Sequence, residues 1–377
     1  MANETSSPDS SNTTECFDIF HQTMATKRFL PLAYSLIFVT GSIGNILALW
    51  IFIKRVRTKS AIHVYLINLI FSNLLLCMIM PFLIAYFAEG QSWLSDSAMC
   101  TAVRFATPIF YISLYFTILI LCWVALSQYA TLTNYSQCQN CPILKKFNHF
   151  RILKRFREVP FAKVLCSSVW LTVICVLGPI TLYYSITESK YEHREHQESC
   201  YNINVEIGAS VSGNASFVAI FFFYLCFLVL LALNVSLVYH VYIIQKNSTI
   251  EQKHLVYKNV LRKISIIQVM FAICFLPYHI YRPIFLELIP NSDCKQKSLL
   301  VEIKNLLIFL AALRSSTDPF VYILLNKSFR LNLCSILQRS QTQSITLSSI
   351  HQTAEQSHAF TKVEHGNRNS LLPNNKV

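Results

Sequence analysis

Seven stretches of this chain are long and apolar enough to cross a lipid bilayer. A membrane-spanning helix needs about 20 mostly apolar residues. Runs of this kind lie at 29–53, 63–88, 101–130, 162–186, 215–245, 261–289 and 298–325. Because backbone polar groups in lipid must be satisfied within the protein, such runs form helices that pack against one another. The sequence therefore predicts an all-α membrane protein with a seven-transmembrane helix bundle.

The composition agrees with a membrane protein. Of the 377 residues, 53% are hydrophobic and 14% are charged, which is too apolar for a soluble domain of this size. The seven runs do not resemble one another, so the sequence lacks the internal repeats typical of secondary transporters. A transporter or channel is the weaker interpretation, and a flux assay in lipid vesicles would distinguish it.

Basic residues are concentrated after the first, third and fifth spans. They are Lys54, Arg55, Arg57, Lys59, Lys145, Lys146, Arg151, Lys154, Arg155, Arg157, Lys246, Lys253, Lys258, Arg262 and Lys263. An excess of Lys and Arg marks cytoplasmic loops, so the N-terminal segment 1–28 is predicted to be extracellular. The net charge of +13 therefore suits the anionic lipids of the inner leaflet, and no nucleic acid is predicted as a partner.

The sixth span contains a proline followed by polar residues. Pro277 lacks the N–H of a helix interior, so a helix that passes through it must bend. His279 and Arg282 follow it in the apolar run, and lipid tolerates such groups where they face a bundle interior or a watery cavity. The pattern predicts a kinked helix beside a polar cavity. An Arg282 side chain that extends to the membrane surface is the alternative.

An arginine and an aspartate lie four residues apart in the seventh span. Arg314 and Asp318 therefore share one face of a helix. A guanidinium at this depth needs a carboxylate partner, so we expect the two side chains to pair. An arginine that only tethers the seventh helix is compatible with the same pair.

The extracellular side carries candidate sites of covalent modification. Cysteines on this side are Cys16, Cys100, Cys200 and Cys294. In an oxidising compartment they can form disulfides, and the sequence alone leaves three pairings open. Asn3 and Asn12 begin glycosylation sequons in the segment predicted to be extracellular.

The C-terminal region divides into a short helix and a polar tail. Residues 327–333 form an amphipathic run that predicts a short eighth helix, and Cys334 after it is a candidate for palmitoylation. Residues 339–377 are polar and predict a disordered cytoplasmic tail, so the domain proper is 29–338. No phosphate-binding loop, catalytic triad or metal cage is visible in the sequence, which predicts neither an enzyme nor a cofactor.

Several motifs occur in a fixed order along the chain. They are Gly41-Ser-Ile-Gly44-Asn45, Trp93 with Cys100, Trp170, Phe271 with Cys274-Phe275-Leu276-Pro277, and Asp318-Pro319-Phe320-Val321-Tyr322. These motifs resemble the signatures of the rhodopsin-like (class A) G-protein-coupled receptors. The resemblance implies a switch in the sixth helix at Phe271, Phe275 and Pro277, and a second motif in the seventh helix at Asp318, Pro319 and Tyr322.

Further residues resemble the purinergic-like branch of that family. They are Phe275 in place of the usual tryptophan, His279 followed by Arg282, Asp318 at the start of its motif, and Lys304. The resemblance implies the disulfides Cys100–Cys200 and Cys16–Cys294. It also suggests a ligand site formed by Tyr278, His279, Arg282 and Lys304. Two cations on adjacent helices suit a phosphate or carboxylate, unless they extend outward or pair with Glu287 or Glu302.

The chain departs from the family pattern in three places. Ser127-Gln128-Tyr129 stands where the family has Asp-Arg-Tyr, so the arginine that meets the G protein is replaced by a neutral side chain. Three extra residues between Cys100 and Gln128 predict a bulge or loop near Pro108. Asn73 replaces the aspartate that holds sodium in most relatives, and Arg314 lies at a position that usually assists, so a fixed cation is expected to occupy the sodium site.

The resemblance implies a multi-pass receptor of the plasma membrane. We expect it to bind an extracellular small ligand that is anionic or lipid-like, and to signal to a heterotrimeric G protein, an arrestin or both, among membrane lipids. The alternative is a scavenger or arrestin-biased receptor that does not couple to G proteins, and Gln128 motivates it.

Overall fold

The computed structural model describes residues 24–56, 60–89, 98–135, 151–179, 211–247, 251–336 and 338. Within these ranges the backbone is almost entirely helical, and no strand occurs in them. The long helices are α1 (Met24–Lys54), α2 (Ala61–Ala88), α3 (Ala98–Tyr135), α4 (Val159–Thr172), α5 (Val211–Asn247), α6 (Glu251–Leu288) and α7 (Cys294–Leu325). A short turn of helix at Arg151–Arg155 precedes α4.

Each predicted span coincides with one of these helices, although several helices are longer than the apolar run. The sixth span was expected at 261–289, whereas α6 begins at Glu251. Its first turns carry Lys253 and Lys258, so they belong to the polar part of the chain that hydropathy leaves out. α4 continues through a π-type turn at Val173–Leu177 and is described as far as residue 179.

Hydropathy identifies five of the helices as long and apolar enough to cross a membrane. They are Thr26–Lys54, Ala61–Ala88, Thr101–Thr131, Ser216–Tyr239 and Lys258–Asn291. α4 contributes a shorter apolar helix, Val159–Cys175. α7 is less apolar because it carries Lys304, Arg314 and Asp318, and all three side chains are buried inside the protein. Charges that face the bundle interior are compatible with a membrane-spanning helix.

The structure corrects the expectation of a bulge or loop near Pro108. α3 is continuous from Ala98 to Tyr135, and Pro108 lies inside it. The hydroxyl of Thr107 donates to the carbonyl oxygen of Val103 at 3.1 Å. Since α3 has no break between Ala98 and Tyr135, the additional residues extend the helix without interrupting it.

The helices pack side by side in a bundle. α1 contacts α2 and α7, α2 also contacts α3 and α4, and α6 lies between α5 and α7. α3 contacts α2, α5 and α6. Trp170 of α4 donates its indole N–H to Asn68 of α2 at 3.0 Å, and its ring lies 4.5 Å from that of Phe116 of α3. Large apolar side chains cover the outer faces, as lipid contact requires.

The chain after Leu325 forms a separate unit, Asn326–Val377. Its described part is a helix at 327–336, which we label α8. The side-chain oxygen of Asn326 accepts the backbone N–H of Phe329 at 3.0 Å and so caps the start of α8. Cys334, the predicted palmitoylation site, lies on α8 and is exposed.

Gly44 marks a close approach between α1 and α7. A Cβ atom on this residue would lie 2.7 Å from Cγ of Pro319, and the proline ring has no flexible end that can move aside. Gly44→Ala should therefore destabilise the protein by about 1–3 kcal/mol, the usual cost of overpacking. Thermal unfolding of the purified protein in detergent measures the change.

Gly41→Ala is the matched control on the same helix. A Cβ on Gly41 would lie 3.0 Å from the sulfur atom of Cys77, which can rotate, so its unfolding temperature should fall less. A Gly44→Ala variant that is as stable as the unmodified protein would contradict the close approach of α1 and α7.

Candidate functional site

His279 lies at the centre of an aromatic cluster between α3, α5 and α6. Its Nδ1 atom lies 2.8 Å from the carbonyl oxygen of Phe275 and its Nε2 atom 3.1 Å from the hydroxyl of Tyr115. A carbonyl oxygen only accepts hydrogen bonds, so we assign the proton of the neutral ring to Nδ1, and Nε2 then accepts from Tyr115. The ring stacks on Phe223 at 3.8 Å and is 0% exposed. Both nitrogens and one face of His279 are therefore engaged.

Two cations lie near one aromatic ring between α6 and α7. The guanidinium carbon of Arg282 lies 5.2 Å from the centre of the Phe285 ring, and the Nζ atom of Lys304 lies 5.7 Å from the same centre. Arg282 also donates to the hydroxyl of Ser216 on α5 at 3.3 Å. The two residues are only 6% and 3% exposed. Their burial argues against the alternative in which both side chains extend outward to the membrane surface.

Tyr278 connects this region to α3. Its hydroxyl lies 3.5 Å from that of Tyr111, and its ring packs edge-on against His279 at 5.2 Å. The four residues proposed from the sequence as ligand contacts, Tyr278, His279, Arg282 and Lys304, thus lie in one region of α6 and α7. The hydroxyl groups of α3 and α5 that face them were not predicted.

The predicted switch residues form a continuous aromatic stack. The rings of Phe223 and Phe271 are parallel within 16° at 5.3 Å, and Phe271 meets Phe275 edge-on at the same distance. The guanidinium of Arg314 on α7 lies 5.4 Å from the centre of the Phe275 ring. α6 continues through Pro277. A displacement of α6 would therefore break contacts with α5 and with the Arg314 cation at the same time.

The predicted pair of Arg314 and Asp318 is confirmed. One terminal nitrogen of Arg314 lies 2.8 Å from Oδ1 and 2.6 Å from Oδ2 of Asp318. The amide of Asn73 on α2 donates to Oδ2 at 2.7 Å and lies 3.0 Å from the hydroxyl of Tyr322. That hydroxyl donates to Asn45 on α1 at 3.2 Å. The network therefore joins α1, α2 and α7, and every member is buried.

The motif that replaces Asp-Arg-Tyr faces the inside of the bundle. Ser127, Gln128 and Tyr129 are 1%, 4% and 3% exposed. The hydroxyl of Tyr129 lies 2.9 Å from that of Ser236 on α5. Gln128 therefore lies beside a direct link between α3 and α5, with no formal charge of its own.

Comparison with known proteins identifies the architecture. A family model described as "7 transmembrane receptor (rhodopsin family)" matches residues 44–322. The chain belongs to this rhodopsin family of seven-transmembrane receptors. It is 39% identical to "Probable G-protein coupled receptor 82" of Mus musculus over 314 residues, which cover 82% of this chain and 95% of the mouse protein. The Homo sapiens protein of the same name is 37% identical over 334 residues, 88% of this chain and 97% of that one.

A more distant relative supports the predicted branch. The receptor is 28% identical to a purinoceptor of Gallus gallus over 322 residues, which cover 84% of this chain and 81% of the relative. The predicted similarity to the purinergic-like branch is thus confirmed. Rhodopsin-family members are receptors and not enzymes, and they are multi-pass proteins of the plasma membrane.

Several predicted sites of the receptor fall outside the described residues. They are Asn3, Asn12, Cys16, Trp93 and Cys200. The structure describes only the backbone of the other two bridging candidates, with Cys100 in the first turn of α3 and Cys294 at the start of α7. The two disulfides and the glycosylation of Asn3 and Asn12 stay predictions.

Five residues of the receptor that contact Tyr278, His279, Arg282 or Lys304 were not predicted from the sequence. They are Tyr111, Tyr115, Ser216, Phe223 and Phe285. A signal for two of them was present, because Tyr111 and Tyr115 are four residues apart and place two hydroxyl groups on one face of an apolar helix. The other three could not be predicted, because their contacts depend on how α5 packs against α6. The periodicity of a single helix contains no information about that packing.

Proposed function

We propose that this receptor binds an extracellular anionic, lipid-like small ligand and signals to a cytoplasmic heterotrimeric G protein. The observation that supports the ligand class is the burial of Arg282 and Lys304 beside the ring of Phe285. The proposal places the N-terminus outside the cell, as the basic loops require. Arrestin and the surrounding lipids are the further partners.

The chemistry of the two cations suits an acidic group. A guanidinium presents a planar fork that binds phosphate or carboxylate through two hydrogen bonds, and an ammonium adds a compact point charge. Both charges lie within 6 Å of the centre of the Phe285 ring, so an acidic group beside that ring would be near both.

Apolar side chains beside the cations favour a ligand with a hydrocarbon part. Phe285, Ile289 and Val301 form a buried cluster, with Tyr281 and Leu300 packed against it. A ligand with an acidic head and an apolar chain can contact both regions. A nucleotide lacks an apolar chain to contact the partly buried members, Tyr281 and Leu300.

The proposal gives His279 a positioning role. Its nitrogens are occupied by Phe275 and Tyr115, so it holds the Tyr115 hydroxyl in place below the cations. Tyr278, which shares a hydrogen bond with Tyr111, is the aromatic contact that connects the ligand region to α3.

Removing both cations should abolish binding of an acidic ligand. Hydrogen bonds to charged groups contribute about 1.5–3 kcal/mol each, so Arg282→Ala combined with Lys304→Ala should weaken affinity by at least about 100-fold. The probes are a fluorescent monoacyl glycerophosphate and a fluorescent nucleoside diphosphate, which separate the lipid-like from the nucleotide-like ligand. Binding is measured on purified receptor by fluorescence anisotropy.

Lys295→Ala is the matched control, because Lys295 is an exposed cation on the same helix α7. Its affinity should equal that of the unmodified receptor. A double variant that folds and binds each probe as the unmodified receptor does would refute the anionic site.

A receptor that binds its ligand without G-protein coupling is the second candidate. The uncharged Gln128 at the inner end of α3 favours it, because the charge-assisted contacts of an arginine are about twice as strong as neutral ones. Such a protein would bind its ligand at the same residues of α6 and α7. It would then clear the ligand or recruit arrestin.

A further inference from the structure

Four cations lie on the surface where the chain enters α4. Lys154 and Arg155 end the short helix before α4, Arg157 follows them, and Lys163 lies in the second turn of α4. All four side chains are exposed, and Glu158 is the one acidic residue between them. They form no ion pair with any residue that the structure describes. We call these four residues the α4 basic patch.

The backbone that carries the patch is held by neighbouring helices. The hydroxyl of Tyr65 on α2 donates to the carbonyl oxygen of Phe156 at 3.4 Å. The short helix Arg151–Arg155 contacts α3. The ring of Phe156 packs edge-on against that of Phe161 on α4 at 5.3 Å. The four cations therefore project from a segment that contacts α2, α3 and α4.

α4 exposes an apolar face next to the patch. Val164, Leu171 and Ile174 are 68%, 61% and 65% exposed, and they belong to the apolar helix Val159–Cys175. Such a face on a membrane helix contacts the acyl chains of lipids. Lys163 is exposed directly before Val164, and a lysine at such a place extends its ammonium group to the headgroup level. The surface thus offers cations to a headgroup and an apolar face to acyl chains.

We propose that the α4 basic patch binds a phospholipid whose headgroup carries more than one phosphate group. Clusters of Lys and Arg at the cytoplasmic end of a membrane helix attract anionic headgroups, and each cation near the membrane surface adds to the attraction. An arginine binds phosphate through two parallel hydrogen bonds, and a lysine binds it as a point charge. Four cations exceed the charge of a headgroup with one phosphate, so a headgroup with several phosphates matches the patch better.

The leaflet follows from the orientation given in the proposed function, which places this end of the bundle in the cytoplasm. A lipid bound there would hold the junction of α3 and α4 to the membrane. Because the short helix of the junction contacts α3, the lipid would also restrict the inner end of α3, which carries Gln128. An effect on signalling rests on the proposed function, whereas binding of the lipid to the patch does not.

Native mass spectrometry of the full-length receptor in detergent tests the site. The receptor is titrated with phosphatidylinositol bisphosphate or with phosphatidylserine of the same acyl chains, and the fraction that carries a bound lipid is measured. The bisphosphate should bind tighter by about tenfold or more, because its headgroup meets more of the cations. Equal affinity for the two lipids would overturn the proposal.

Free inositol trisphosphate separates a lipid site from a site for soluble phosphates. It carries the phosphate groups without acyl chains, so it should displace the bound lipid only at a much higher concentration than the lipid itself. Displacement at an equal concentration would show that the acyl chains add nothing, and it would overturn the assignment to a phospholipid.

Glutamine variants locate the site on the receptor. The patch variant combines Lys154→Gln, Arg155→Gln, Arg157→Gln and Lys163→Gln. It should bind the bisphosphate about 100-fold more weakly or worse, since it lacks all four cations of the patch. The four side chains are exposed, so their replacement should leave the fold intact.

The control variant removes the same number of charges from the inner ends of α1 and α6. It combines four changes at exposed cations, Lys54→Gln, Arg55→Gln, Lys258→Gln and Arg262→Gln. Its affinity for the bisphosphate should change by less than about threefold, because these cations lie outside the patch. An equal loss in both variants would overturn the proposal, since the attraction would then come from the charge of the whole receptor. A patch variant that loses G-protein coupling but binds the lipid normally would assign the patch to the protein partner instead.

Discussion

Replacing Arg314 with alanine should cost the receptor about 3–5 kcal/mol of stability, the usual loss when one partner of a buried ion pair is removed. The Asp318 carboxyl group would lose its cation at a site that is 1% exposed, and the Asn73 amide at 2.7 Å would be the donor that remains. The variant should therefore unfold at a much lower temperature and reach the cell surface poorly. Thermal unfolding in detergent and surface labelling measure the two effects.

The double variant Arg314→Ala with Asp318→Ala isolates the cause. It removes both charges, so it should be more stable than Arg314→Ala alone, because the main cost of the single change is the stranded carboxylate. A single variant that unfolds at the same temperature as the unmodified receptor would show that the pair does not stabilise the core.

A charge exchange tests whether Arg314 takes the place of a bound cation. Arg314→Asn with Asn73→Asp restores the pattern expected of receptors that bind sodium at this place. If sodium binds the folded state of this variant, it raises the free energy of unfolding. The exchanged receptor should unfold at a higher temperature in sodium chloride than in choline chloride at the same ionic strength. The unmodified receptor should show no difference between the two salts, since its cation is covalently fixed.

The second large effect is expected at Gln128. Gln128→Arg adds a cation at the inner end of α3, where hydrogen bonds to a charged group contribute about 1.5–3 kcal/mol. Basal G-protein activation should rise by about tenfold or more at equal surface expression. Gln128→Met is the matched control, because it retains the size of the side chain and adds no charge, and its output should not rise. Equal or lower output from Gln128→Arg would contradict the proposal that the uncharged Gln128 side chain weakens coupling to the G protein.

The sequence predicted the helices well because the signal for them is local. An apolar run of sufficient length indicates a membrane-spanning helix, and each predicted run coincides with one of α1–α7. Helix ends were predicted less well, since the first turns of α6 are polar and the apolar run begins only after them. Pro108 was misread because a membrane helix tolerates a proline in its interior, and α3 continues through it.

Contacts within one helix could be predicted, whereas those between helices could not. The Arg314–Asp318 pair follows from a spacing of four residues. The contact between Arg282 and Ser216 joins α6 to α5, and that between Tyr129 and Ser236 joins α3 to α5. Neither contact has a signature in one chain segment, because the relative rotation of two helices depends on packing along their whole length.

Signalling of this receptor to a G protein can be measured through its basal activity. Cells that express the unmodified receptor, Gln128→Arg or an empty vector carry sensors for dissociation of each G-protein class and for arrestin recruitment, at matched surface levels. We expect G-protein activation above the empty vector for the unmodified receptor and a larger signal for Gln128→Arg. Arrestin recruitment without activation of any G-protein class, by both the unmodified receptor and Gln128→Arg, would contradict it and favour the receptor that does not couple.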